Sequence, residues 1–132
     1  MCYENRLTGL DIRSCRNLQI LECSHNQITE LNTKSNRSLK KLNASFNCLT
    51  SLSLSSNKAL SSLNVTHNER IIPCKSSFNL SRLPSFSVKK AKGWKGGKRK
   101  GKKLIPKKKK VTYTYNCGRG FKKKFTLVIN RK

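Results

Sequence analysis

Acidic residues are the scarcest charged type in this chain: five Asp plus Glu stand against thirty Lys plus Arg in 132 residues, a formal charge of +25. The five are Glu4, Asp11, Glu22, Glu30 and Glu69, and no two can be placed face to face as an acid–base pair. With only two histidines, His25 and His67, no Ser-His-Asp spacing arises, nor a phosphate-cradling glycine loop, nor a metal-ligand cluster. These shortages point to a non-enzyme, with no catalytic residues, no metal, no cofactor and no small-molecule substrate. Long apolar runs are missing too. None approaches the roughly 20 residues that cross a bilayer, so no transmembrane segment is expected, and residues 1–9 lack the basic start and apolar run of a secretory signal.

What the chain has instead is rhythm. Six phrases, LTGLDIRSC, LQILECSHN, ITELNTKSN, LKKLNASFN, LTSLSLSSN and LSSLNVTHN, begin at Leu7, Leu18, Ile28, Leu39, Leu49 and Leu60. Their starts step alternately by eleven and ten, so two phrases make a unit of 21 residues. First and fourth positions are Leu or Ile throughout and should fill a core. Sixth positions (Ile12, Cys23, Thr33, Ala44, Leu54, Val65) lie two along a strand from the fourth and should also face inward, Thr33 being the least apolar-looking member. Ninth positions are Asn26, Asn36, Asn47, Asn57 and Asn68, with Cys15 in the first phrase. An amide there can satisfy backbone groups where the chain turns. Amphipathic helices are excluded by the spacing, which is not 3.6, and by Asn at each ninth position.

Period and pattern match the L-x-x-L-x-L-x-x-N/C-x-L signature of leucine-rich repeats. The chain resembles bacterial leucine-rich repeat proteins of the short, surface-associated, internalin-like kind. That resemblance implies a mainly β fold: a solenoid of about three repeats over residues 7–69, followed by a small lysine-rich β-hairpin or sandwich-like module. Three repeats is about the minimum for stability, so a fragment of a longer protein is one reading. The resemblance also implies a secreted or cell-surface location, while the absence of a signal sequence in this chain leaves a cytoplasmic one open.

Stacked strands about 4.8 Å apart would carry an outward patch on the even phrases: Ile20, Glu22 and Ser24, then Lys41, Asn43 and Ser45, then Ser62, Asn64 and Thr66. This is the candidate partner-binding face, small and polar with Ile20 as its apolar anchor. His25 and His67 share the eighth position two rungs apart, near 10 Å, with Phe46 between them. Zinc ligands must sit about 2 Å from one ion, so these two cannot share it. No ladder stacks cysteine on cysteine inside the repeats, so buried thiols are expected there, and a Cys74–Cys117 pairing stays open.

After Asn68 the rhythm fails. Residues 70–88 read as a boundary or cap segment, with Pro73 and Pro84 disfavouring regular structure. Residues 89–110 are a basic Lys/Gly-rich segment, expected to be extended and mobile from self-repulsion and glycine content. Residues 111–132 read as a β-hairpin, strands 111–115 and 125–129 joined by a turn at 116–120. Alternatively residues 78–130 form one module: they resemble the small all-β unit that follows the repeats in some secreted Firmicutes proteins, through Phe78 to Ser81, Leu83-Pro84, Phe86, Val88, Trp94, Gly97, Gly101, Leu104, Val111 to Tyr115, Cys117-Gly118, Gly120 and Phe125 to Asn130. This would make Trp94, Leu104, Tyr113, Tyr115, Phe125 and Leu127 core residues.

Two function classes follow. In the first, the repeats recognise another protein through the outward patch. In the second, the basic half binds a polyanion, nucleic acid or a wall or membrane polymer, through Lys98, Arg99, Lys100, Lys102, Lys103, Lys107, Lys108, Lys109 and Lys110. Nineteen basic and no acidic residues lie from Lys89 onward, against eleven and five before it. A chain ending at Val88 that still bound its partner would favour the first.

Overall fold

Leu21, Leu42 and Leu63 lie directly opposite one another on three parallel strands, β1 (Ile20–Glu22), β2 (Lys41–Asn43) and β3 (Ser62–Asn64), in a computed structural model that describes residues 6–131. The register pairs Ile20 with Lys41 and Ser62, and Glu22 with Asn43 and Asn64. Each step along the sheet is thus one 21-residue unit of sequence. First- and fourth-position residues of the inner phrases, Ile28, Leu31, Leu39, Leu42, Leu49 and Leu52, are all buried. Leu7, Leu10, Leu18 and Leu63, nearer the ends of the stack, are partly buried.

The strands are short because asparagines turn the chain. Asn47 Nδ2 donates to the carbonyls of Cys23, Ala44 and Ser45 at 3.0, 3.1 and 3.2 Å, while its Oδ1 accepts from Ile28 N–H at 3.0 Å. Asn68 repeats this one rung on, donating to Ala44 and Val65 carbonyls and accepting from Leu49 N–H. Each amide therefore ties its own rung to the one before it and occupies buried backbone groups that strand pairing leaves open.

The described residues form three sheets, β1-β2-β3, β4-β10-β9-β6 and β5-β8-β7, and include no α-helix. The remaining strands are β4 (Glu69–Pro73), β5 (Phe78–Asn79), β6 (Ala91–Lys95), β7 (Gly97–Lys100), β8 (Lys103–Pro106), β9 (Lys110–Gly118) and β10 (Phe121–Asn130), with 310 turns at Leu80–Arg82 and Val88–Lys90. No helix among them is long and apolar enough to cross a membrane.

Three expectations need correction. Residues 89–110 are not a mobile tether, because they carry β6, β7 and β8. Their glycines serve close approach: a Cβ at Gly96 would stand 2.3 Å from the Lys110 carbonyl oxygen, and Gly96 O accepts from both Lys107 and Lys108 N–H. Residues 69–73 form a strand in spite of Pro73, which falls at its last position and there pairs with Asn130 of β10. The hairpin strands run longer than expected, to Gly118 and from Phe121, leaving Arg119 and Gly120 as the turn with φ of 53° and 83°. Two adjacent residues at positive φ match the right-handed twist of the flanking strands.

Trp94, Leu104, Tyr113, Tyr115, Phe125 and Leu127 all belong to the apolar core, Trp94 as a half-buried member. Trp94 and Tyr113 rings stack at 4.6 Å and Phe86 meets Tyr113 edge-on at 5.5 Å. This cluster is continuous with the repeats' core. Leu54 N–H donates to Cys117 O at 2.7 Å, Tyr113 Oη to Thr50 O at 2.5 Å, and Arg119 to Asn57 O at 2.6 Å. The β9–β10 hairpin thus covers the end of the repeat stack along residues 50–57, where the next odd phrase would otherwise be needed.

Candidate functional site: an open sheet face and a basic sheet

The outward face of β1-β2-β3 has three columns. Along the first stand Ile20, Lys41 and Ser62, all exposed, with Ile20 62% exposed. Along the second, Glu22 and Asn43 are half-buried and Asn64 is exposed; Asn43 Nδ2 donates to Glu22 Oε2 at 3.2 Å. The third column departs from expectation. Ser24 and Ser45 are buried, and only Thr66 is exposed. Their hydroxyls turn back along their own strands: Ser24 Oγ donates to Glu22 Oε1 at 2.8 Å, Ser45 Oγ to Asn43 Oδ1 at 2.7 Å, and Thr66 Oγ1 to Asn64 Oδ1 at 2.8 Å. The outward-facing part of the candidate patch is therefore the other seven residues, with Glu22, Asn43 and Asn64 each accepting one of these short bonds.

Beside this face runs a column that the strand alternation did not assign to it. His25, Phe46 and His67 adopt φ of 57°, 54° and 56°, left-handed values that cost a non-glycine residue roughly 1–2 kcal/mol. Their rings stack at 4.3 and 4.2 Å, nearly parallel at 10° and 4°. Phe46 lies between the two imidazoles, as their shared position in the phrase required. All three are exposed, Phe46 by 43%. The signal was in the sequence as a ring-bearing residue at each even eighth position, but its outward projection follows from the left-handed corner.

Lys98, Arg99 and Lys100 lie on β7 and Lys103 on β8, Lys102 in the turn between them, and Lys107, Lys108, Lys109 and Lys110 on the run into β9; all nine are exposed. One is neutralised, Lys110 Nζ standing 3.4 Å from Glu69 Oε1. Among the described residues no two cysteines are joined: Cys23, Cys74 and Cys117 are buried, Cys48 half-buried and Cys15 exposed. Burial pushes the Cys117 thiol up to about 12, against the positive charges of Lys123 and Lys90. Asp11 is held down at about 2 by its hydrogen bonds from Arg13, in a fully exposed pair. Cys2 and Glu4 lie outside the described residues.

No protein-family model matches this chain, and no characterised protein matches it.

Proposed function

We propose that the chain is a leucine-rich repeat solenoid of about three 21-residue repeats, of the bacterial surface-associated kind, whose role is non-enzymatic recognition of another protein. The observation that carries this reading is the unbroken register of β1, β2 and β3, which presents Ile20, Lys41 and Ser62 in line beside an exposed ring stack. Rigid columns with an apolar anchor at one edge and aromatic rings at the other suit a protein surface better than a small molecule. A location outside the cell or at its surface belongs to the same reading.

A photo-crosslinking side chain at position 41 of the full chain tests it, with position 58 on another face as control. The protein captured at 41 is then titrated against I20E and F46A variants. The expected result is about a tenfold or greater loss of affinity for each, and no loss when Lys98, Lys100 and Lys103 are replaced by Gln.

The basic sheet supports a second reading. Eight cations of β7, β8 and the run into β9 have no acidic partner among the described residues, and the β7–β8 hairpin carries five of them, Lys98, Arg99, Lys100, Lys102 and Lys103. Polyanion binding, to nucleic acid or a wall or membrane polymer, would use that sheet and leave the β1-β2-β3 face untouched.

A further inference from the structure

Strand β3 ends its sheet, yet the backbone pattern that joins the rungs continues past it. Cys23 N–H donates to Asn43 O at 2.9 Å and Ala44 N–H to Asn64 O at 2.8 Å; His25 N–H donates to Ser45 O at 3.1 Å and Phe46 N–H to Thr66 O at 2.9 Å. By the 21-residue step, the next donors are Val65 N–H and His67 N–H. Neither has an acceptor among the described residues, so both point where a fourth rung would stand.

That place is a cleft. Strand β10 runs alongside, but it joins the β3–β4 segment only from Thr126 onward, where Thr126 N–H donates to Asn68 O at 3.1 Å and Thr126 pairs with Glu69. Residues 121–125 of β10 pair with β9 alone. The two chains therefore fork, and the opening between them, about 290 Å³, is lined by Leu63, Val65, His67, Lys123, Lys124 and Thr126, with Glu69 among its other walls. Leu63 is the one half-buried member of the Leu21–Leu42–Leu63 column, because nothing covers it on this side.

The geometry points to this fork as a docking site for an extended acidic segment of a partner protein, added as a fourth strand to the edge of β3. The inference rests on the proposed reading of the chain as a protein-recognition module and names where and what it binds. Open amides in strand register call for a backbone carbonyl partner. The uncovered Leu63 calls for an apolar side chain on the inner face. Lys123 and Lys124 call for carboxylates, since the single acidic group at the cleft, Glu69, already lies against Lys110 at 3.4 Å. A second copy of this chain is the wrong occupant: at +25 each, two copies repel.

The probe is a synthetic peptide of about eight alternating Glu and Val residues, the length of an ordinary strand, titrated into the 15N-labelled full chain at physiological salt. The expected result is that amide exchange of Val65 and His67 slows about tenfold or more at saturation. K124E, at an exposed position, should weaken binding severalfold, and K123E/K124E about tenfold. Butane-1,2,3,4-tetracarboxylate, which carries the same four negative charges without a backbone carbonyl to accept from an amide, should give no protection. Equal binding and protection by the tetracarboxylate overturn the proposal, as does peptide binding that leaves the Val65 and His67 amides unprotected. Perturbation confined to Ile20, Lys41 and Phe46 would overturn the fork while leaving recognition by the open face standing. Protection at Val65 and His67, together with a partner captured at position 41 whose affinity I20E and F46A leave unchanged, would do the reverse.

Discussion

The Thr33 hydroxyl lies 2.8 Å from Asn57 Oδ1 and donates to it, deep inside the protein. One repeat earlier the equivalent pair is Ile12 and Asn36, for Asn36 Nδ2 donates to the Ile12 and Cys15 carbonyls as Asn57 Nδ2 does to those of Thr33 and Asn36. Ile12 has no hydroxyl, and Asn36 Oδ1 is buried without a partner. The threonine that looks out of place in an apolar column is thus the one residue there that completes its asparagine.

Thr33→Val keeps the shape and removes the donor, leaving Asn57 Oδ1 buried and unpaired, and should cost about 1–3 kcal/mol. Ile12→Thr supplies the donor that Asn36 lacks, so its lost apolar contact is offset and stability should stay within about 1 kcal/mol of the starting protein. Equilibrium urea unfolding decides. If Ile12→Thr costs as much as Ile72→Thr, made in an apolar site without an orphaned amide, the completion argument fails.

Asn47 sits at the middle of its ladder and serves four backbone groups at once. Asn47→Ala orphans the buried Ile28 N–H and takes one of two donors from each of the Cys23, Ala44 and Ser45 carbonyls, which keep Asn26 Nδ2, Asn68 Nδ2 and His25 N–H, and should cost about 2–3 kcal/mol. Asn47→Asp keeps the acceptor but turns the donor into a second oxygen facing carbonyls, so at neutral pH it should be at least as damaging. Unfolding midpoints of the two variants against the parent test this order.

The repeat register was legible because it is written in identical positions: leucines at the fourth place meet on adjacent rungs, and an amide at the ninth bonds backbone groups of its own rung and of the one before. Ser24 and Ser45 were misread as outward because strand alternation carries no information about the left-handed corner at His25 and Phe46, which lets each hydroxyl fold back onto residue 22 or 43. The strands between Ala91 and Pro106 were hidden by their charge. Counting lysines gives a solvated tether, whereas Trp94 and Leu104 pack into the core and Gly96 admits the Lys110 backbone. The parallel pairing of Glu69–Pro73 with residues 126–130 joins segments far apart in sequence, and no local pattern encodes it. The fork beside β3 follows from that pairing, so it was beyond reach for the same reason.

Alkaline pH should loosen the junction between repeats and hairpin. Cys117 has its thiol raised from 9.0 to about 12, chiefly by burial, and burial likewise holds Tyr113 well above the ordinary 10.0. Both are acids whose neutral form is favoured in the folded state, so the stability they confer is whole below the unfolded values. It is lost as pH rises from 9 toward 12 for Cys117 and from 10 upward for Tyr113. The cysteine alone accounts for up to about 4 kcal/mol across that window. Urea midpoints should fall steadily above about pH 9, and Cys117→Ala should flatten the first part of the fall. A midpoint independent of pH in the parent would contradict the assignment.

Tyr113 Oη donating to Thr50 O at 2.5 Å and Leu54 N–H donating to Cys117 O at 2.7 Å make the hairpin a cover for the last repeat. Removing everything after Val88 would expose Leu49, Leu52 and Leu54, so a truncated chain reports on folding before it reports on binding. Tyr113→Phe isolates the contact: it orphans the Thr50 carbonyl and should cost about 1–2 kcal/mol. Exchange of the Leu54 amide, bonded to Cys117, should quicken in that variant, while that of Cys23, in the first repeat and bonded to Asn43, should not.

Salt separates the two proposed roles without cutting the chain. Each lysine that contacts a phosphate releases counterions, so the logarithm of affinity for duplex DNA should fall with the logarithm of salt concentration by about 0.9 per contact. If the sheet of β7 and β8 is the contact surface, replacing Lys98, Lys100 and Lys103 by Gln should make that slope shallower by about 2–3. Replacing Lys34, Lys40 and Lys58 in the repeats should leave it as it was. Equal changes from both triples would mean that the charge acts as a diffuse cloud and that β7 and β8 form no particular surface.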